Sequence, residues 1–335
     1  MPRFIPVFLV AFLASSMHLP GQGTAIKPVR LGIIGLDTSH VDAFTKVING
    51  SVKLPELRRL KVVAAYPAGS PDLPISRDRI QGFTKTLKER DGVEIVDSIE
   101  ALLGKVDAVL LESVDGRVHL EQVKPVLKAG KPVFIDKPMA CSLADVLAIA
   151  DLAEKEKVPV FSCSSFRFAP QLVQLKQEGK AGEIKAADVY GPCPLMNPQF
   201  PDLHWYGIHG IEALYTIMGP GCETVTRTKT ELGDVVTGVW KDGRVATFRG
   251  LRGSKTDYGF VAFGTKAIVA EKMSADYTPL LKAMGDFFPD GKAPVAMGET
   301  IEILTFLEAA HESSRKGGLP VRLADVLAQA RNKKP

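Results

Sequence analysis

The chain has 335 residues, of which 45% are hydrophobic and 24% are charged. This composition is ordinary for a folded protein, so it excludes a disordered or fibrous chain, and the length favours two domains. The formal net charge is only +4 and no long basic run occurs, which excludes a dedicated nucleic-acid-binding protein.

Residues 1–25 have the features of a secretory signal peptide. Arg3 supplies a positive charge, the apolar run Phe4–Ala14 follows, and Gly23 and Ala25 fit the small-residue positions of a cleavage site. The apolar run is much shorter than the ~20 residues of a membrane-spanning helix. We therefore expect export to the periplasm or the extracellular space, with no stable membrane span after processing. The alternatives are a buried helix and a membrane anchor.

The first half of the chain alternates short apolar segments with amphipathic ones. This alternation predicts an α/β fold with a Rossmann-like, doubly wound parallel sheet over residues 26–160. The predicted strands are Val29–Gly35, Lys61–Tyr66, Glu94–Val96, Val106–Leu111, Pro132–Ile135 and Val158–Phe161. The predicted helices are Ser39–Ile48, Thr84–Glu89, Ile99–Leu103, His119–Ala129 and Leu143–Lys155. Ligands of such a fold bind at the carboxyl ends of the strands.

The second half changes its pattern. From Ile184 onward the apolar residues recur with a period of two, between turns that contain glycine. This pattern predicts strands, and a helix is predicted over Ile301–His311. We assign residues 161–335 to a second, α+β domain.

The turn after the first predicted strand departs from the dinucleotide-binding motif G-x-G-x-x-G. It reads Gly35-Leu36-Asp37-Thr38-Ser39-His40, so only the first glycine is present. Asp37 stands where a pyrophosphate would approach, and it is also a suitable N-cap for the following helix. Either Asp37 only caps that helix, or residues 37–40 line a polar site with an altered ligand preference.

The end of the second predicted strand lacks the carboxylate that usually holds the ribose of NAD. Tyr66 stands there instead, and the first acidic residue after it is Asp72. Tyr66 either stacks on an adenine ring or is ordinary packing. The choice between NAD and NADP therefore stays open.

Five later segments resemble, in order and spacing, the motifs of the Gfo/Idh/MocA family, named for glucose–fructose oxidoreductase, inositol dehydrogenase and a rhizopine catabolism protein. They are Ser113–His119 for T-P-x-x-x-H, Ala129–Pro138 for the stretch ending in E-K-P, Phe166–Pro170 for R-F-x-P, Gly207–Glu212 for G-x-H-x-x-D and Glu299–Leu323 for the closing helix with G-x-P-V-x-L. The resemblance covers residues 29–323.

The resemblance implies a Rossmann domain followed by an open, mostly antiparallel sheet, which binds substrate and serves as the face of a possible homo-oligomer. It implies that NAD or NADP lies between the two domains. Hydride then moves between the nicotinamide and a hydroxyl-bearing carbon of a small sugar or cyclitol. Carried over onto this sequence, the catalytic residues are Lys137 and His209.

The chemistry of these two residue types suits the oxidation of an alcohol. A histidine can accept the hydroxyl proton near neutral pH, and a lysine can orient the hydroxyl and stabilise negative charge on its oxygen. The residues assigned to the cofactor site are Gly35, Asp37, Thr38, Ser39, His40, Tyr66, Ser113, His119, Asp136 and Lys137. Those assigned to the substrate are Arg167, Trp205, Tyr206, His209 and Glu212, with Trp205 and Tyr206 as a stacking platform for a sugar.

Two other functions stay open. The first is a non-catalytic, exported sugar-binding protein on the same scaffold, suggested by Asp37 and the missing ribose carboxylate. The second is a metal-assisted hydrolase or lyase that uses His40, His119, His204, His209 and Glu212. No tight ligand spacing such as H-x-x-x-H occurs, so we assign no metal site. None of the four cysteines forms a C-x-x-C pair, and we interpret them as small buried residues.

Overall fold

The computed structural model describes residues 1, 28–51, 54–195 and 200–332. Residues 2–25 of the predicted signal peptide lie outside this part, so export stays a prediction. Over the described residues, no helix is both long and apolar enough to cross a membrane.

Six short apolar strands form a parallel sheet. They are β1 (Val29–Ile34), β2 (Leu60–Tyr66), β3 (Glu94–Ile95), β4 (Ala108–Leu111), β5 (Val133–Ile135) and β6 (Val160–Phe161). Their order is β3-β2-β1-β4-β5-β6, and every neighbouring pair is parallel. From β1 the chain first adds strands on one side of the sheet, as β2 and β3, and then on the other, as β4, β5 and β6. Folds of this kind bind ligands at this switch point, between β1 and β4. The predicted doubly wound sheet is therefore confirmed.

Helices connect these strands on both faces of the sheet. They are α1 (Ser39–Asn49), α2 (Pro74–Glu89), α3 (Ile99–Leu103), α4 (His119–Lys128) and α5 (Leu143–Glu156). The prediction is wrong for α2, which begins at Pro74 rather than at Thr84. Proline suits the first turn of a helix, but α2 buries only Ser76 and Leu87, so the sequence carries little helical periodicity there.

Seven strands form the second sheet, as the mostly antiparallel sheet of the resemblance implies. They are β7 (Ile184–Pro192), β8 (Cys222–Lys229), β9 (Gly233–Trp240), β10 (Val245–Leu251), β11 (Tyr258–Gly264), β12 (Ile268–Met273) and β13 (Val321–Arg322). The order is β12-β11-β7-β10-β9-β8-β13, and only the pair of β10 and β7 is parallel. The helices of this half are α6 (Pro170–Glu178), α7 (Ile208–Met218), α8 (Thr278–Asp290), α9 (Met297–Arg315) and α10 (Leu323–Asn332).

The sequence analysis did not predict α8, and this helix returns to the first sheet. Its buried residues join the core beside β1 and β6, where the rings of Phe287 and Phe161 lie 4.6 Å apart. A Cβ at Gly285 would lie 2.6 Å from the carbonyl oxygen of Glu56, so only glycine allows this close approach. The C-terminal half therefore stabilises the first sheet, while the domain boundary at residue 160 stays a prediction. The four cysteines are buried and free, as interpreted.

Candidate functional site

The turn after β1 brings the carboxyl end of that strand against β4. Gly35 has φ 91°, and a Cβ at this position would overlap the backbone nitrogen of Ser113. The Gly35 amide donates to the carbonyl of Tyr66, and Leu36 donates to that of Ala68. The glycine therefore lets the turn approach its neighbours closely, as the first glycine of a dinucleotide-binding turn does.

Asp37 is fully buried in this turn, and it does not cap α1. One of its oxygens accepts from the Ser76 hydroxyl at 2.6 Å and the other from the Val114 amide at 2.9 Å. Burial raises the pKa of Asp37, although these two hydrogen bonds act in the opposite direction. The N-cap is Thr38, whose side chain accepts from the His40 amide. The capping interpretation of Asp37 is therefore wrong, because its carboxylate turns towards α2 and β4.

Three ionisable side chains meet at the ends of three strands. His40 Nδ1 lies 2.9 Å from Asp136 Oδ2 and 3.8 Å from Glu112 Oε2. Burial and the negative charge of Asp136 raise the pKa of Glu112 well above its usual value. Burial acts in the same sense on Asp136, but His40 and Lys137 outweigh it, and the pKa of Asp136 is lowered. This cluster, His40–Glu112–Asp136, stands beside Lys137.

His209 enters the same region from α7. Its Nδ1 lies 2.7 Å from the hydroxyl oxygen of Ser164, which follows β6. Burial, together with the positive charges of Lys137 and His40, lowers the pKa of His209 well below its usual value. The imidazole is therefore neutral at neutral pH and able to accept a proton.

Aromatic rings surround His209. The ring centroids of Phe166, Tyr206 and Tyr258 lie 5.6, 5.9 and 6.0 Å from that of His209. Tyr206 is 39% exposed, whereas Trp205 is buried against Phe200. Of the predicted stacking platform, only Tyr206 therefore presents an exposed face.

Other residues assigned to the cofactor have local partners. His119 is buried between the carbonyl oxygens of Ser113 and Met139, at 2.7 and 3.1 Å from its two ring nitrogens. Ser113 donates its hydroxyl proton to Gln122. Tyr66 is half-buried and packs against the core beside the sheet. Ser39 is exposed at the first residue of α1.

Arg167 and Glu212, both assigned to the substrate, pair with each other. Arg167 Nη1 lies 3.3 Å from Glu212 Oε2, and Nη2 contacts Glu299. Burial raises the pKa of Glu212 to about 7, despite the opposing charge of Arg167. Arg167 and Glu299 also line an open cleft of about 460 Å³ together with Lys176.

The ligand set of the metal-assisted alternative does not converge. His204 stacks on His311 with ring centroids 5.5 Å apart, while His119 and Glu212 have the partners given above. Among the described residues, His40 joins a candidate ligand group only with Glu112 and Asp136. The sequence analysis assigned no site role to Glu112, Ser164 or Tyr258. Glu112 and Ser164 carry a signal that could have identified them, because each is a polar residue that follows a buried strand.

Part of the chain is similar in sequence to a family of oxidoreductases. The model of a family described as "Oxidoreductase family, NAD-binding Rossmann fold", GFO_IDH_MocA, matches residues 55–163. Inositol 2-dehydrogenase of Corynebacterium glutamicum (strain R) is 28% identical over 47% of this chain and 44% of its own length. That of Rhodococcus erythropolis is 32% identical over 54% and 46%. The chain thus spans about half the length of the curated relatives it matches.

Solved structures share the fold over nearly the whole chain. The structure of scyllo-inositol dehydrogenase from Lactobacillus casei, with bound NAD(H) and scyllo-inositol, has a TM-score of 0.73 at 16% identity. It covers 89% of this chain and 100% of its own. At 16% identity this similarity shows a shared fold, which consists of a Rossmann sheet and a second sheet.

Proposed function

We propose, since the chain belongs to the Gfo/Idh/MocA oxidoreductase family, that it transfers hydride between NAD or NADP and a hydroxyl-bearing carbon of a cyclitol or related sugar. The observation that carries this proposal is the meeting of Lys137 and His209. The Lys137 ammonium lies close enough to lower the pKa of the buried imidazole. The activity of the relatives, inositol 2-dehydrogenases by name, supports the substrate class.

The residues at the ends of β1 and β5 fit a dinucleotide. The close turn at Gly35 and the amino terminus of α1, at residues 38–40, would hold the pyrophosphate, because the helix dipole attracts anions there. The Asp37 carboxylate does not occupy the place of the pyrophosphate, since both of its oxygens accept hydrogen bonds from the chain. When bound, the nicotinamide supplies the hydride acceptor or donor. No acidic side chain follows β2 directly, so the choice between NAD and NADP stays open.

His209 and Lys137 would handle the proton and the charge of the reacting hydroxyl. Neutral His209 accepts the hydroxyl proton as hydride leaves the carbon, and Ser164 holds its other ring nitrogen. The Lys137 ammonium orients the hydroxyl and stabilises the negative charge that develops on its oxygen. Both roles require that the Lys137 ammonium and the His209 imidazole reach the same substrate oxygen atom.

The aromatic rings around His209 suit the substrate class. A cyclitol presents ring C–H bonds on its faces and hydroxyls around its edge. Tyr206, with its exposed ring, would cover one face, while Phe166 and Tyr258 close the wall behind His209. The hydroxyl edge would then point to Lys137 and His209.

Binding and turnover measured on one preparation test the proposal. The purified chain is stripped of nucleotide, titrated with NAD and with NADP by calorimetry, and then assayed for NAD(P)H absorbance with scyllo-inositol and myo-inositol. We expect one cofactor to bind and at least one cyclitol to be oxidised. Absence of binding at millimolar cofactor would contradict the proposal and favour the non-catalytic sugar-binding alternative.

Export and assembly remain proposals of their own. We expect the mature chain to begin at Ile26, which amino-terminal sequencing of protein secreted from a bacterial host would test.

For assembly, the second sheet exposes Val239 and Val245, which face each other on β9 and β10, and Ile268 at its edge. Exposed apolar residues on one sheet are typical of an interface, so light scattering should detect an oligomer.

A further inference from the structure

We propose that the cluster His40–Glu112–Asp136 binds one divalent transition-metal ion of the Mn²⁺ or Zn²⁺ class. The ligand atoms would be His40 Nδ1 and one carboxylate oxygen each from Glu112 and Asp136. The three residues come from distant parts of the sequence, which is why no ligand spacing is visible in it. The inference is independent of the proposed function, because binding of the metal requires no nucleotide.

The geometry of the three atoms fits a metal ion. They lie within 4.8 Å of one another, with His40 Nδ1 2.9 Å from Asp136 and 3.8 Å from Glu112. Ligand atoms bound ~2.1 Å from a metal ion stand roughly 3.0–3.4 Å apart, so small side-chain shifts would complete the site. One imidazole and two carboxylates are a donor set for Mn²⁺ or Zn²⁺, since imidazole suits zinc and carboxylate suits manganese.

Glu112 provides a second, independent indication that a ligand belongs here. It has no solvent exposure, and neither carboxylate oxygen has a hydrogen-bond partner within the described part of the chain. A buried carboxylate without partners is costly, and a protonated one would still need an acceptor for its proton. Its Oε2 points to His40 Nδ1, so a cation between them would satisfy both.

The surroundings hold the ligands in place. Glu112 and Asp136 follow neighbouring strands, and their amides donate to the carbonyls of Ile34 and Leu111 at 2.7 and 2.8 Å. The His40 ring stacks on Phe44, and the Tyr277 ring contacts both of them edge-on, 5.0 Å from His40 and 5.4 Å from Phe44. Ligands fixed by such contacts lose little freedom on binding a metal.

The test uses the full chain, treated with a chelator and dialysed. Mn²⁺ is titrated by electron paramagnetic resonance, which measures free Mn²⁺, and Zn²⁺ is then added as a competitor. We expect one Mn²⁺ per chain, displaced by Zn²⁺. Glu112→Gln should weaken binding more than about tenfold, because it removes a ligand and its charge at nearly constant shape. The matched control is Glu223→Gln, at an exposed position on β8, which should bind like the unmodified chain.

His40→Gln is the second variant, and it keeps the test decisive if Glu112→Gln fails to fold. The proposal is overturned if the unmodified chain binds neither ion, or if both variants bind Mn²⁺ as tightly as Glu223→Gln. Calorimetric titrations with NAD and with NADP on the same preparations separate this result from the proposed function. Metal binding without binding of either nucleotide would contradict only the proposed function, and nucleotide binding without metal binding would contradict only the metal site.

Discussion

The Ser164 hydroxyl oxygen lies 2.7 Å from Nδ1 of His209, and both side chains are buried. The same oxygen accepts the amide of Phe166 at 3.1 Å, which holds the hydroxyl in position. If Nδ1 carries the imidazole proton and donates it to Ser164, then Nε2 is free to accept a proton from a substrate. Ser164 thus acts as a positioning residue for His209.

Ser164→Ala should lower kcat roughly tenfold or more and change KM much less, because the imidazole loses its orientation rather than its substrate contacts. Ser164→Thr keeps the hydroxyl and should recover most of the turnover. Steady-state kinetics with the cyclitol that gives the best turnover provide the measurement. Ser254→Ala, at an exposed position, is the control. Equal kcat for the alanine variant and the control would rule out the positioning role.

Lys137→Ala should lower kcat at least ~100-fold, since the variant removes the charge that stabilises the developing oxyanion. The exposed residue Lys128 on α4 offers the matched control, Lys128→Ala. Cofactor affinity, measured by calorimetry, serves to separate lost chemistry from lost binding. A Lys137→Ala variant that turns over like Lys128→Ala would remove Lys137 from the catalytic site.

The buried carboxyl of Glu212 should make stability depend on pH. Its pKa is about 7 in the folded chain against 4.5 ordinarily, mainly because of burial, so the folded state keeps a proton that the unfolded state releases. The stability that Glu212 provides is therefore fully present below pH 4.5 and declines until about pH 7. The total change is about 3 kcal/mol.

Urea unfolding of the unmodified chain and of Glu212→Gln between pH 4.5 and 8 measures this effect. Relative to the glutamine variant, the unmodified chain should lose free energy of unfolding up to about pH 7 and then level off. Glu223→Gln, an exposed carboxylate on β8, should differ from the unmodified chain by a nearly constant amount. A difference for Glu212→Gln that does not vary with pH would contradict the prediction.

The fold was predictable where local pattern and burial agree. The parallel strands are short apolar runs, so their positions and the doubly wound sheet follow from the sequence. The helix α8 escaped prediction because it contains Pro289 and Gly285. Its stability comes from the contacts of Leu281 and Phe287 with the first sheet, which no local pattern records.

The site was predictable only in part, because its contacts join distant residues. Strand-end reasoning and family motifs led to Lys137 and His209. The partners of Asp37 are Ser76 and Val114, far along the chain, so a local rule offered the helix cap as one of its two roles and could not identify these contacts. Glu112 was passed over although it follows β4 directly.

Gly35 and Gly82 give the sharpest test of the turn that begins the site. At Gly35, φ is 91° and a Cβ would overlap the backbone of Ser113, which cannot move without shifting β4. Gly35→Ala should therefore destabilise the chain by about 3 kcal/mol or more. At Gly82, inside α2, a Cβ meets no atom within 4 Å, so Gly82→Ala should stabilise the chain by up to about 1 kcal/mol.

Urea or thermal unfolding of both variants and of the unmodified chain measures these changes in stability. Shifts of opposite sign mean that the turn admits only glycine, and that the site depends on its close approach to β4. If both variants unfold like the unmodified chain, the turn tolerates a side chain and the described approach of Gly35 to Ser113 is not required. The same samples, titrated with NAD, should show that Gly82→Ala binds normally and that any folded Gly35→Ala binds weakly, because the displaced turn no longer holds the pyrophosphate.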